Sequence, residues 1–150
     1  MSYMFAHCNN LVTIRTWNRN TSNVTNMRGM FAGCDALSNF YVQFTDTSNV
    51  TDMGYMFYSC TALTTLDLSD FNTSSVTNTE SMFDGCGNLT TIYATNSFTT
   101  VNVPNLKSVY MFTGCSNLVG GNGTHYSNSK TYKEYARIDK SGTPGYFTRS

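Results

Sequence analysis

At 150 residues the chain is long enough for one domain with a real core. No run approaches the 18 or so apolar residues of a membrane span, and a net charge of zero removes the electrostatic footprint that nucleic-acid binding normally needs. Ten Phe, ten Tyr and eight Met are too much apolar surface to leave in water, which excludes disorder. The zero charge hides an asymmetry. Residues 1–100 hold three arginines against seven acids, a net of −4, and residues 101–150 hold six cations against Glu134 and Asp139, a net of +4. Ser, Thr and Asn together supply 56 residues, an excess that goes with few charges and five cysteines.

One repeated phrase organises the chain. Met-Phe-x-x-Cys begins at Met4, Met30, Met56, Met82 and Met111, at spacings of 26, 26, 26 and 29 residues. All five cysteines occupy its last position, and a leucine follows each by three residues (Leu11, Leu37, Leu63, Leu89, Leu118). A fixed period of this size signals a repeat architecture.

From the N-terminus, Leu11-x-x-Ile14 starts the first unit's strand. The later strands are Leu37-x-x-Phe40-x-Val42, Leu63-x-x-Leu66-x-Leu68 and Leu89-x-x-Ile92-x-Ala94, with apolar residues at alternate positions and one buried face expected. A turn rich in Asn, Asp, Thr and Ser follows each strand, as at 70–74. Next comes Val24-x-x-Met27-x-x-Met30-Phe31, repeated from Val50, whose spacings of three and four predict a short helix. Thr21, Ser22 or Asn23 is placed to cap its start, and Gly33, Gly85 or Gly114 to end it. The expected fold is therefore an α/β solenoid. A parallel β-sheet forms one face, short helices form the other, and Leu, Met, Phe and Cys ladders lie between.

Leu66-x-x-x-x-Phe71-Asn72-Thr73-Ser74-Ser75-Val76-Thr77 and Asn49-Val50-Thr51-Asp52-Met53-Gly54-Tyr55-Met56-Phe57 carry a family resemblance. The leucine spacing is leucine-rich-repeat-like. The phrasing resembles the BspA-like, DUF285-type surface-protein repeat of Firmicutes, Bacteroidetes and mycoplasmas. The likeness runs over about residues 1–119, and 135–148 resembles the segment that ends such arrays. It implies an extracellular or cell-surface adhesin and offers no catalytic residues. No signal peptide opens the chain, which keeps cytoplasmic and virion locations open.

The last unit departs from the pattern, since Val103-Pro104 replaces Asn-Val and Gly120-Gly121 replaces strand apolars. The expected division is a solenoid of about four and a half repeats over 1–119 and a β-rich capping segment over 120–150, built as a hairpin. The chain opens inside a unit, so an uncapped end available for self-association is expected there.

No catalytic, cofactor or metal set emerges. No Cys-x-x-Cys pair exists, so the cysteines read as a buried thiol ladder. His7 beside Cys8 is no credible nucleophile pair, and Asp46, Asp52 and Asp70 read as turn formers before calcium ligands. The Asn23, Asn49, Asn72 and Asn88 sequons are compositional first. If the strand leucines point inward, then Arg15, Trp17, Tyr41, Gln43, Asp67 and Tyr93 point outward on one sheet face. Aromatic, Arg and small polar residues compose a protein-binding surface. The leading expectation is a non-enzymatic module that binds or adheres to a protein or glycan on another surface. The alternatives are a structural or virion component assembling through the N-terminal end, and an intracellular phage-encoded inhibitor.

Overall fold

The computed structural model describes the backbone of residues 1–150 and all side chains except those of 17–19. Its strands are β1 (Thr13–Arg19), β2 (Asn39–Phe44), β3 (Thr65–Asp67), β4 (Thr91–Ala94) and β5 (Phe147–Arg149). All strand pairs are parallel. β1 pairs with β2, while β3, β4 and β5 form a second sheet in that order. Period-two patterning places Phe40, Val42 and Phe44 inward and Tyr41 and Gln43 outward on β2, and Leu66, Ile92 and Ala94 are likewise buried.

The expected helices are not formed. Among the described residues the helical content is two single 3-10 turns, Asn105–Lys107 and Lys133–Tyr135. The segment predicted as a helix at 24–31 is instead a run of β-turns that extends to Cys34. The amides of Met30, Ala32 and Cys34 donate to the carbonyls of Met27, Gly29 and Phe31, each three residues back. Between them, the amides of Met27, Gly29, Phe31 and Gly33 donate to Asp52, Gly54, Met56 and Tyr58 of the next unit, at 2.7–2.9 Å. Met53, Tyr55, Phe57 and Ser59 donate onward to Asn78, Glu80, Met82 and Asp84 in the same way.

Alternate turns of this run take a left-handed residue at their third position. Gly29 (φ 58°) and Gly33 (φ 69°) supply it in one unit, Tyr55 (φ 58°) and Ser59 (φ 57°) in the next. A Cβ on Gly29 would stand 2.2 Å from the Tyr3 ring. Left-handed residues at this interval are incompatible with a continuous α-helix. An eight-residue helix would also gain little against its nucleation cost. The period of three and four survives because tandem turns, like helices, return every third or fourth side chain to the same face.

Each apolar position forms a column through the units. Phe5, Phe31, Phe57, Phe83 and Phe112 stack with centroids 5.5–6.0 Å apart. Cys34, Cys60, Cys86 and Cys115 are buried and free, and each Sγ donates to a Phe carbonyl of the preceding unit at 3.0–3.1 Å. The buried-thiol expectation holds for these four, while Cys8 is exposed. The polar excess also has a place. Asn20, Asp46 and Asn72 accept the amide two residues on, as do Asn26, Asp52 and Asn78. Thr21, Thr47 and Thr73 donate their hydroxyls to carbonyls of the next unit at 2.6–2.9 Å.

The tail contributes one strand rather than a hairpin. β5 lies beside β4 with Ile92 opposite Phe147, and short antiparallel bridges at Val119–His125 and Lys140–Thr143 complete it. Tyr146, fully buried, meets the Phe112 ring edge-on at 5.1 Å and closes the aromatic stack. Asp139 fastens this end. Its carboxylate accepts the Asn122, Thr124 and Gly145 amides and the Thr124 hydroxyl. Burial alone would raise its pKa, but the Thr124, Gly145 and Asn122 hydrogen bonds prevail and hold it below the ordinary range.

Three outcomes follow from this packing. Burial raises the thiol pKa of Cys34, Cys60 and Cys86 and pushes that of Cys115 up to about 12. A thiol reagent at neutral pH therefore labels Cys8 alone in the folded chain and all five cysteines after unfolding; rapid labelling of any of the other four contradicts the packing. Thr79 stands where the preceding units carry Met27 and Met53, and its hydroxyl is buried without a partner among the described residues. Thr79→Val is expected to raise stability by about 1 kcal/mol in a urea titration. Asp139→Ala is expected to lower it by about 2 kcal/mol at neutral pH. Because the Asp139 pKa is depressed on folding, its contribution is complete above the unfolded carboxyl value near 3.9 and fades as pH falls through the folded one. The gap between variant and parent should therefore narrow in strong acid.

Candidate functional site

Strand alternation carries the outward residues to one face. Arg15 lies opposite Tyr41 in the β1–β2 register, and Asp67 opposite Tyr93 in the β3–β4 register. Tyr41 is 53% exposed and Tyr93 37%. The Arg15 guanidinium sits 4.8 Å from the Tyr41 ring centroid, a cation–π contact that holds that ring upright. Gln43 and Asp67 are exposed on the same face. The side chain of Trp17, expected with them, lies outside the described residues.

The face is divided, which the sequence did not announce. β2 and β3 belong to different sheets, and among the described residues no ladder joins them. The entry bond that Ser38 N–H makes to Val12, and Thr90 N–H to Thr64, has no counterpart from Thr64. A groove follows the division. One segment, of about 270 Å³, is lined by Tyr41, Gln43, Asp67, Ser69 and Asp70 among others. The other, of about 350 Å³, runs past Asn39, Tyr41, Thr64, Thr65 and Asp67. Tyr41 and Asp67 line both.

The break coincides with a change in the core. Phe40 stands edge-on between the Phe31 and Phe57 rings, at 5.2 and 5.1 Å, and Phe44 lies edge-on to Phe71 at 5.4 Å. At the Phe40 position β3 and β4 carry Leu66 and Ile92, and at the Phe44 position the later units carry Asp70 and Asn96. The bulky Phe40 on β2 thus stands beside the smaller Leu66 on β3, and the two strands part. The sequence signal for this is Phe40 standing where the other units carry the aliphatics Ile14, Leu66 and Ile92.

Asp67 Oδ1 accepts the Ser69 amide at 2.9 Å and the Ser69 hydroxyl, leaving Oδ2 without a hydrogen bond among the described residues. Ser69, expected on the outward face with Asp67, joins the groove, and so does Asp70, which sequence reasoning read as a turn former. The sequons behave as structure. The Asn49 and Asn88 amides donate to Ser22 and Thr61 carbonyls at 2.8 Å, and Asn72 closes its own turn.

A second polar cluster lies on the turn side. Arg28 lies over the Tyr55 ring at 4.7 Å, donates to the Tyr3 hydroxyl, and sits 3.7 Å from both Asp52 and Glu80. Its groups satisfy one another across four units, so it reads as a clamp. Among the described residues no group of His, Cys, Asp and Glu is arranged to hold a metal. No helix among them is long and apolar enough to cross a membrane.

A family model described as "Mycoplasma protein of unknown function, DUF285" matches residues 1–124. The chain belongs to this family. No curated protein and no solved structure matches it. The 26-residue phrase of this DUF285 chain thus has a structural counterpart: strand, Asx turn, and a tandem-turn segment bonded to its neighbour at alternate amides.

Proposed function

We propose that the repeats form a leucine-rich-repeat-like solenoid that acts as a non-enzymatic binding module, recognising a protein or glycan on another surface through its strand face. One observation carries the reading. Arg15, Tyr41, Gln43, Asp67 and Tyr93 share a single face, Tyr41, Gln43 and Asp67 line its groove, and the repeat requires neither tyrosine. Large exposed rings beside an arginine and a carboxylate are the composition of binding hot spots. The cross-strand pairs Arg15–Tyr41 and Asp67–Tyr93 also stabilise their sheets, but that role needs neither the exposure nor the groove. An extracellular or cell-surface location accords with this use.

The test presents the full chain to immobilised panels of matrix proteins and of oligosaccharides. The Tyr41→Ala, Tyr93→Ala double variant is expected to weaken capture by about tenfold or more. Its unfolding midpoint should fall only by what the two cross-strand pairs contribute, on the order of 1 kcal/mol or less each. Capture that the double variant leaves unchanged assigns binding to another face and overturns the reading.

A further inference from the structure

The division between β2 and β3 says what kind of ligand the face takes. On the turn side the same two units are fully joined by four amide bonds, from Met27, Gly29, Phe31 and Gly33, and the Thr47 hydroxyl joins them again past the strands at 2.9 Å. The opening is therefore local to the strands. Alternate backbone N–H and C=O groups along the two facing edges are left without a strand partner at the groove.

Unpaired edges usually invite an added peptide strand. The dimensions argue against one here. Strands flanking an inserted strand stand about 9.5 Å apart, twice the normal spacing. β2 and β3 instead remain neighbours, with Cα atoms within 8 Å of each other. A hydroxylated ring reaching into the groove from the open face needs no such widening.

We propose that the groove is a carbohydrate subsite that takes neutral or amino sugars of a surface glycan, an inference resting on the binding-face reading above. Sugar hydroxyls both donate and accept, which matches an edge presenting N–H and C=O together. Asp67 Oδ2 is an uncommitted acceptor for vicinal hydroxyls or an ammonium, and the Gln43 amide supplies both senses. Tyr41 lines both segments, and its ring offers the apolar contact that the C–H face of a pyranose requires. Asp67 and Asp70 make the groove acidic, which repels sialylated or sulfated sugars, while Arg15 is already engaged with Tyr41. Segments of about 270 and 350 Å³ suit one sugar residue each rather than a folded partner.

The experiment titrates the full chain against immobilised neutral, amino-sugar, sialylated and sulfated oligosaccharides, with the matrix-protein panel alongside. Binding is expected to a subset of the neutral or amino sugars. Tyr41→Ala and Asp67→Asn should each raise Kd by about tenfold, since each removes a direct ligand contact. Tyr93→Ala, one strand away from the groove, should raise it by about threefold at most. Binding confined to sialylated or sulfated sugars overturns the proposal, as does an Asp67→Asn variant that binds like the parent. Protein-only capture, lost in the double tyrosine variant, removes the sugar and keeps the binding face. Capture by neither panel removes both. Asp67→Asn keeps an oxygen for the Ser69 amide, so its circular dichroism and unfolding midpoint should match the parent and separate lost contact from lost fold.

Discussion

The structure depends on alternate backbone amides of one unit donating to the carbonyls of the next on the turn side. Between those donations, the intervening amides close β-turns within the unit, so every N–H from Met27 to Gly33 but that of Arg28 has a carbonyl, and Arg28 uses the Asn26 side chain. Complete backbone pairing allows the segment to be buried without a helix. The geometry asks for a left-handed residue at the third place of alternate turns. Gly29, Gly33, Gly85 and Gly114 meet it without strain, while Tyr55, Ser59, Ser81 and Tyr110 adopt it at about 1 kcal/mol each. The Phe stack and the thiols offset that cost by burying apolar surface in every unit.

Once that ladder is in place, each repeat position has one task. The Phe carbonyl illustrates it: Phe31 O accepts the Cys34 amide within the unit and the Cys60 thiol from the next. Phe-x-x-Cys is thus a bonding unit as well as an apolar one, and a disulfide would remove the hydrogen that makes the second bond. The hydroxyl and carboxamide residues do the same for the connections between strand and turn. Thr21, Asp46 and Thr47 close backbone groups that a longer-chained ion would leave open, which accounts for a surface that needs few charges. The ion pairs found among the described residues both involve Arg28, and at 3.7 Å between partly exposed groups they are weak.

This explains what could be read beforehand. The repeat, the columns of Leu, Met, Phe and Cys and the inward–outward alternation of β2 to β4 were legible because each repeats a period that maps onto one buried direction. The helices were misread because Val24, Met27, Met30 and Phe31 satisfy a spacing that tandem turns share. The clue to the contrary, glycine at 29 and 33, is replaced by Tyr55 and Ser59 one unit later. β5 was hidden for a different reason. Gly120-Gly121 leaves the next strand place beside β4 empty, and Phe147, over fifty residues from Ile92, fills it. No local pattern records a pairing of that range. The outward placement of Arg15, Tyr41, Gln43, Asp67 and Tyr93 was legible from alternation alone, whereas the groove depends on whether two adjacent strands bond, and the shape of Phe40 among its neighbours goes with that break.

The two sides of each unit consequently differ in how much variation they tolerate. On the turn side a misplaced Cβ collides with the neighbouring unit, as it would between Gly33 and the His7 ring at 2.5 Å, so that surface is committed to its own bonding. On the strand side continuity can fail between β2 and β3 while the units stay joined, because turn-side amides and the Thr47 hydroxyl carry the connection across the break. A face that can open without costing the fold is free to be shaped by what it meets. The same asymmetry separates the two polar clusters. Arg28 is ringed by groups that satisfy it, and little is left to offer a partner. Tyr41 and Asp67 stand at an interrupted edge with a ring face, a carboxylate oxygen and main-chain groups still to be matched, and that unfinished bonding is the physical ground for placing recognition there.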